Sequence, residues 1–337
     1  MTKARSILLS AVAALAFSTA ATYAQDLTAY CPMSEDDCAS VLKAFEADSG
    51  ISSNFVRMGA GEVLARVRAE AANPQAGLWL AGTADLFIQG AAEGLLEAHA
   101  SASIDKVDAK FRSKDNSWTP MAVSPIAFFY NPKYLTQLGA EPPTSWEDFA
   151  KPVFKGAVVL THPASSGTAS VVLATMVQIY GEDKAFEILK ATDPNVLQYS
   201  RSAGSLTQMV ASGEVAISQA FTHGLEAALK QGFPIEVSFP KEGTGYELNS
   251  AAVIAKAPEA QREAAKKFLD WVLTDAGQKA LGATHRESVI PGFKNPDLQI
   301  KTSDIKLIDY DSKWAGENRG RLLERYEADV RAASAAK

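Results

Sequence analysis

From residue 25 onward the chain alternates short apolar runs with amphipathic stretches, and small or hydroxylated residues mark the changes between them. Val41, Leu42 and Phe45 share one helical face, as do Val63, Leu64 and Val67, and again Phe268, Leu269, Val272 and Leu273. Apolar runs of strand length lie at 123–130, 157–161, 215–220, 235–239 and 251–255. Strands that alternate with helices define an α/β protein. The junctions are Cys31-Pro32-Met33-Ser34, Gly59-Ala60-Gly61, Gly82-Thr83, Ser165-Ser166-Gly167-Thr168, the 202–205 stretch ending in Ser205, and Thr222-His223. Loops at the carboxyl ends of strands gather around the ligand in open α/β sheets. Junctions of this kind spread along the chain predict one cleft lined from two sides. In the polar, charged last stretch, Leu322, Leu323 and Tyr326 form a helical stripe expected to pack on the body.

The first residues set the compartment. Lys3 and Arg5 precede an apolar stretch at 7–21, and Ala-Thr-Tyr-Ala ends at Ala24. This predicts a secretory signal peptide over 1–24 with mature chain from Gln25, since the apolar run falls short of the ~20 residues a membrane span needs. The remainder is long enough for two domains. Without Lys3 and Arg5 it carries 31 basic and 39 acidic side chains, a net charge of −8. Such a balance argues against nucleic acid as a partner. A small anion is still compatible with it, because backbone dipoles and one or two local cations suffice to hold one. Cys31 and Cys38, the only two cysteines, predict a disulfide in an oxidising compartment. No His or further Cys lies nearby to complete a tetrahedral metal site.

The stretch HPASSGTAS, 162–170, follows an apolar run and opens onto Val171-Val172-Leu173. A helix start leaves about four N–H groups unpaired and carries about half a positive charge. Ser165, Ser166, Gly167 and Thr168 therefore read in two ways: as an ordinary N-cap, or as a seat for phosphate, sulfate or carboxylate. Enzyme signatures are poor. There is no G-x-S-x-G elbow, P-loop or H-E-x-x-H. Ser40-Val41-Leu42-Lys43 fits S-x-x-K but lacks its companions S-D-N and K-T-G. The four histidines, His99, His162, His223 and His285, are dispersed, though His162 and His223 fall in loops assigned to the cleft.

The 57–97 segment beginning RMGAGEVLARVRAEAANPQAG, HPASSGTAS, the 221–248 segment beginning FTHGLEAALKQGFP and the signal peptide together resemble periplasmic solute-binding proteins of ABC importers. Within them the chain resembles the ferric-ion-binding type, which also includes binders of hexose phosphates and 2-aminoethylphosphonate. The resemblance implies a two-lobed α/β fold of the type II periplasmic class, with two crossover strands and a ligand cleft between the lobes. Lobe 1 would be 25–121 plus 244–337, and lobe 2 would be 122–243. It implies binding without catalysis, no cofactor, a permease partner in the inner membrane, and a monomer. Ferric binders carry adjacent tyrosines where this chain has Phe221-Thr222-His223-Gly224, and Phe221 offers a hard cation no oxygen. Binders of sugar phosphate often show His-Asp there, so Gly224 removes one partner for the organic part of a solute.

The expectation is thus an anionic organic solute, sugar phosphate or phosphonate-like, held by Ser165, Ser166, Gly167 and Thr168. Arg201 would add a charge-assisted bond beside Ser205. Ser34, Gly61 and Thr83 would meet the other end, with His223 and Tyr246 lining the cleft near the hinge. The rivals are a metal-ion binder using Tyr199, His162 or His223, and a secreted hydrolase of unrecognised site.

Overall fold

The computed structural model describes residues 26–200, 203–295 and 297–331; the signal-peptide expectation over 1–24 and the expectation for Arg201 lie outside them. The chain begins with β1 (Leu27–Cys31), α1 (Glu35–Ser49), β2 (Ser53–Arg57), α2 (Ala60–Ala69), β3 (Leu78–Thr83), α3 (Ala84–Ala92) and the short β4 (Leu96–Glu97). β5 (Thr119–Tyr130) then leads to α4 (Pro132–Leu138), β6 (Val158–Thr161), α5 (Gly167–Tyr180), α6 (Glu182–Thr192) and β7 (Val196–Ser200). α7 (Ala203–Ser212), β8 (Ile217–Phe221), α8 (Thr222–Lys230), β9 (Glu236–Ser238) and β10 (Tyr246–Ile254) follow. The chain ends with α9 (Glu259–Trp271), α10 (Asp275–Gly282), β11 (Glu287–Ser288) and α11 (Ser312–Tyr326), which runs on as a π-turn over Glu327–Arg331.

One sheet runs through the molecule in the order β2-β1-β3-β10-β5-β8-β6-β7. β1 pairs in parallel with β2 and β3, and β6 in parallel with β7 and β8. The two parallel halves are joined by antiparallel β5 and β10. All twelve residues of β5 are buried. Its register with β10 covers Thr119 to Pro125, and its register with β8 covers Ile126 to Tyr130. Each lobe has its own side of the sheet, and β5 passes from one to the other without a break. The return connection is tight: a Cβ at Gly245 would overlap Thr175 Oγ1 of α5 and lie 3.0 Å from the Tyr310 ring. Only glycine fits where the backbone meets α5 this closely.

The run expected at 251–255 begins five residues earlier, at Tyr246. Residues 246–251 pair with β5, and Asn249 and 251–253 pair with β3 across irregularities at 249–251, so this polar stretch is held as strand by its backbone pairing. Apolar patterning cannot see a strand whose polar faces serve a site. The edge strand β2 was equally quiet in sequence, since Asn54, Val56 and Arg57 face solvent.

Cys31 ends β1 and Cys38 sits in α1; they form a disulfide and both are fully buried. It closes an eight-residue ring around the loop that caps α1. Protein recovered from an oxidising compartment and denatured without reductant should take up no thiol label. Cys38→Ser should cost about 2 kcal/mol of unfolding free energy, the loop-entropy value for so short a ring. Two labelled thiols per chain would contradict the assignment.

Candidate functional site

A cleft of about 680 Å³ opens between the two halves of the sheet. Several helix starts point into it. From the β1–β3 side come Ser34 ahead of α1, Ala60 of α2 and Thr83 ahead of α3; from the β6–β8 side come Ser166 ahead of α5, Gly204 of α7 and His223 of α8. Each start directs free N–H groups and partial positive charge into the same space. The two sides differ in what offsets that charge. α1 has Glu35, Asp36 and Asp37 in its first turn, α2 has Glu62 and α3 has Asp85. α5, α7 and α8 have no acidic residue in theirs. The positive helix ends of α5, α7 and α8 are therefore not offset by acids of their own first turns.

The N-cap question at 162–170 has a geometric answer. Ser166 occupies the N-cap of α5 with extended backbone, yet its side chain makes no capping bond. Ser166 and Thr168 are buried at 8 % and 6 % exposure, and both line the cleft. The opposite wall is near: a Cβ on Gly167 would lie 3.5 Å from the Thr83 methyl. Ser34, by contrast, does cap its helix, its Oγ accepting from Asp37 N–H at 3.2 Å.

β10 supplies the floor, and its period of two sorts its side chains. Glu247 and Asn249 face the cleft. Tyr246 and Leu248 face the opposite way, into a second cavity of about 870 Å³ with Phe111, Trp118 and Tyr310. Tyr246 thus lies behind the cleft floor, contrary to the expectation that it lines the cleft. There it packs edge-on against Phe111 and Tyr310.

The cleft concentrates unsatisfied polarity. His223 Nδ1, Glu247 Oε2, Asn249 Oδ1 and Arg286 Nε are buried atoms without a hydrogen-bond partner, and all four residues line it. Such groups cost about 1–3 kcal/mol each when left unpaired, a pattern found where a site is prepared for a ligand. Arg286 is anchored through Nη1, which donates to Asp37 Oδ2 at 3.1 Å, Thr284 O at 3.1 Å and Thr284 Oγ1 at 2.9 Å. His223 Nδ1 stands 3.7 Å from Glu247 Oε2. Burial, helped by the charges of Arg286 and His285, holds the His223 imidazole well below its ordinary range. Burial pushes the Glu247 carboxyl up, against the pull of Arg286. Two non-glycine residues of the lining, Ala81 and His285, have left-handed backbone, with φ of 73° and 62°. Strain of this kind persists where surrounding structure enforces it, commonly at binding sites.

Of the residues expected at the site, Ser34, Thr83, Ser166, Gly167, Thr168 and His223 are brought together here. Gly61 and Ser165 stand one residue outside the lining, beside Ala60 and Ser166. Ser165 turns away, its N–H and Oγ both donating to His162 O. Ser205 Oγ bonds Ser200 Oγ, and Gly204 and Thr207 line the cleft instead. The proposed metal ligands are divided. Tyr199 donates to Asp193 at 2.6 Å and His162 packs on Tyr199 and Tyr326, whereas His223 is in the cleft. Glu247, Asn249 and Arg286 escaped the sequence reading. The first two sit in the polar half of β10, and Arg286 follows a helix with no motif around it.

The sequence profile described as bacterial extracellular solute-binding protein matches residues 40–303. The chain belongs to that family. A Haemophilus influenzae protein is 34 % identical over 331 residues, covering 95 % of both chains. The periplasmic binding protein AfuA of Actinobacillus pleuropneumoniae, solved with fructose 6-phosphate, superposes with a TM-score of 0.84 at 33 % identity, covering 91 % of this chain and 98 % of that one. The periplasmic binding protein P5PA superposes at 0.83 and 31 % identity, covering 90 % and 99 %. This solute-binding protein has the two-lobed fold of its relatives and the substrate-binding role of an ABC importer component.

The buried His223 makes stability depend on pH. Its folded pKa is depressed, so between its ordinary value and that lower one the unfolded chain binds a proton the folded chain does not. Stability from this group is present above the ordinary histidine range and falls with acidification, by at most about 1.4 kcal/mol per pH unit. Glu247, raised by burial, acts in the opposite sense, its penalty growing as pH rises above the ordinary carboxylate range. In urea unfolding of the ligand-free protein, His223→Gln should gain up to about 2 kcal/mol on the wild type between pH 7.5 and pH 5. Parallel pH profiles for the two proteins would contradict the neutral, buried imidazole.

Proposed function

We propose that the chain is the periplasmic component that captures a small phosphorylated or otherwise anionic organic solute, of sugar phosphate or phosphonate type, and presents it to an ABC permease of the inner membrane. The carrying observation is the polarity of the cleft. On one wall, helix starts without first-turn acids meet the uncapped Ser166 and the buried Thr168. Glu247 and Asn249 of the floor, with His223 of α8 beside them, offer buried oxygens and a nitrogen for hydroxyl or ammonium groups. An anion takes the first set through N–H and hydroxyl donors. The remainder of the solute takes the second, supplying the partner that Gly224 withholds. Arg286 adds a buried guanidinium whose Nε is unpaired. A volume near 680 Å³ falls in the usual range of about 300–1,000 Å³ for small-molecule sites. The relative solved with fructose 6-phosphate supports the same class.

The closing lobes would be 25–121 plus 244–337 and 122–243, with residues 312–331 in contact with α3 of the first and with α5 and α6 of the second. Contacts shared between two walls exist only when the walls are near, and that differential affinity is what drives closure.

Calorimetry against fructose 6-phosphate, 2-aminoethylphosphonate, fructose and ferric citrate tests the reading. Ser166→Ala and Thr168→Val should each weaken the phosphorylated ligands about 10- to 150-fold, the value of a lost bond to a charged group. Neither hydroxyl caps α5, so the helix itself should stay intact. Tight ferric binding indifferent to both substitutions would overturn the assignment.

A further inference from the structure

Helix α11 lies beyond the residues matched by the family profile, which end at 303. It packs against α3 of one half and α5 of the other. Gly316 lets it sit on the start of α3, where an added Cβ would lie 3.1 Å from Asp85 O. One turn further along, Arg319 reaches both halves. Its Nε donates to Ser170 Oγ at 3.2 Å and lies 4.0 Å from Asp85 Oδ2, and its Nη2 donates to Pro163 O at 3.4 Å. Asp85 is in the first turn of α3, two residues after Thr83 of the cleft wall.

The same helix end holds the other side of the 162–170 loop. Glu327 Oε1 lies 3.1 Å from His162 Nε2, and Tyr326 donates to the Tyr199 hydroxyl at 3.2 Å. His162 organises the loop from within: its carbonyl accepts from Ser165 and Ser166 N–H, and its Nδ1 accepts from Ala164 N–H. Because Nδ1 is the acceptor, Nε2 carries the proton and faces Glu327. Arg321 and Arg325 to Glu182, Arg325 to Asp183, and Arg331 to Asp193 fasten the helix to α6 and the turn after it. The loop that presents Ser166 and Thr168 to the cleft is therefore gripped from behind at Pro163, Ser170 and His162.

We propose that Arg319 is a positioning residue for the anion-binding end of the cleft, which through α11 fixes the Ser166–Thr168 loop relative to Thr83 on the facing wall. The proposal rests on the functional reading above for its ligand. A guanidinium suits the task because its planar fork serves several acceptors at once, which an ammonium cannot do with the same geometry. Ligand held between Thr83 and Thr168 feels any change in the α3–α5 spacing, so a tie between those helices sets affinity without touching ligand.

Arg319→Gln, Arg319→Lys and Ser170→Ala test this in the full-length protein. In ligand-free Arg319→Gln, amide exchange at Ser166 and Ser170 should quicken about tenfold or more while residues 173–177 of α5 keep their protection. Affinity for fructose 6-phosphate should fall about tenfold, mainly through faster dissociation, with Arg319→Lys intermediate. Ser170→Ala should add little in the Arg319→Gln background, since both remove one shared contact. Unchanged exchange at Ser166 and Ser170 overturns the proposal. So does a loss of protection spread along the whole of α5 and equal in the Lys and Gln variants. Failure of the wild type to bind any phosphorylated solute would instead refute the functional reading, and the exchange measurement, which uses no ligand, still decides the role of Arg319.

Discussion

The architecture depends on one strand sharing its edges between two sets of partners. β5 bonds β10 over its first half and β8 over its second, so both halves of the sheet are built on one buried backbone. A strand in a ladder has no freedom to shear, but it can twist. The two walls of the cleft are therefore fixed in register along β5 and retain only a change of angle. Everything that meets across the gap, from Thr83 against Gly167 to Glu247 against His223, inherits its alignment from that pairing.

Parallel strands followed by helices then put helix starts at one edge of each half-sheet. The chain uses this twice, and the unequal distribution of first-turn acids gives the gap a direction. Neither wall needs many basic side chains, which agrees with an overall negative charge. The energetic counterpart is a set of buried, unpaired polar atoms on His223, Glu247, Asn249 and Arg286. Local stability is given up where it can be regained on binding, as expected for sites that break the general rule of satisfied interiors.

Much of this was legible in the sequence, and what was hidden had physical reasons. Helical stripes such as Val63, Leu64 and Val67 are buried as their spacing requires. Six of the residues expected at the site from the small and hydroxylated junctions line the cleft, because strand-to-helix turns have few solutions and those solutions show in composition. Tyr246 and Glu247 illustrate the limit. They are neighbours in sequence, and a one-residue choice of register decides which of two cavities each enters. Arg286 marks another limit, since its place comes from Thr284 and from Asp37, 249 residues earlier in the chain. The role of α11 was only half visible: its apolar stripe showed that it packs, but not that it spans both halves.

The ring closed by Cys31 and Cys38 has a further consequence. Pro32, Met33, Ser34, Asp36 and Asp37 all lie inside it and all border the cleft. Ordering one residue costs about 1–2 kcal/mol, and the covalent ring has already met part of that cost for this wall before any solute arrives. Reduction would return that part of the ordering cost to the loop between β1 and α1. The order of this wall is thereby tied to the oxidation of Cys31 and Cys38.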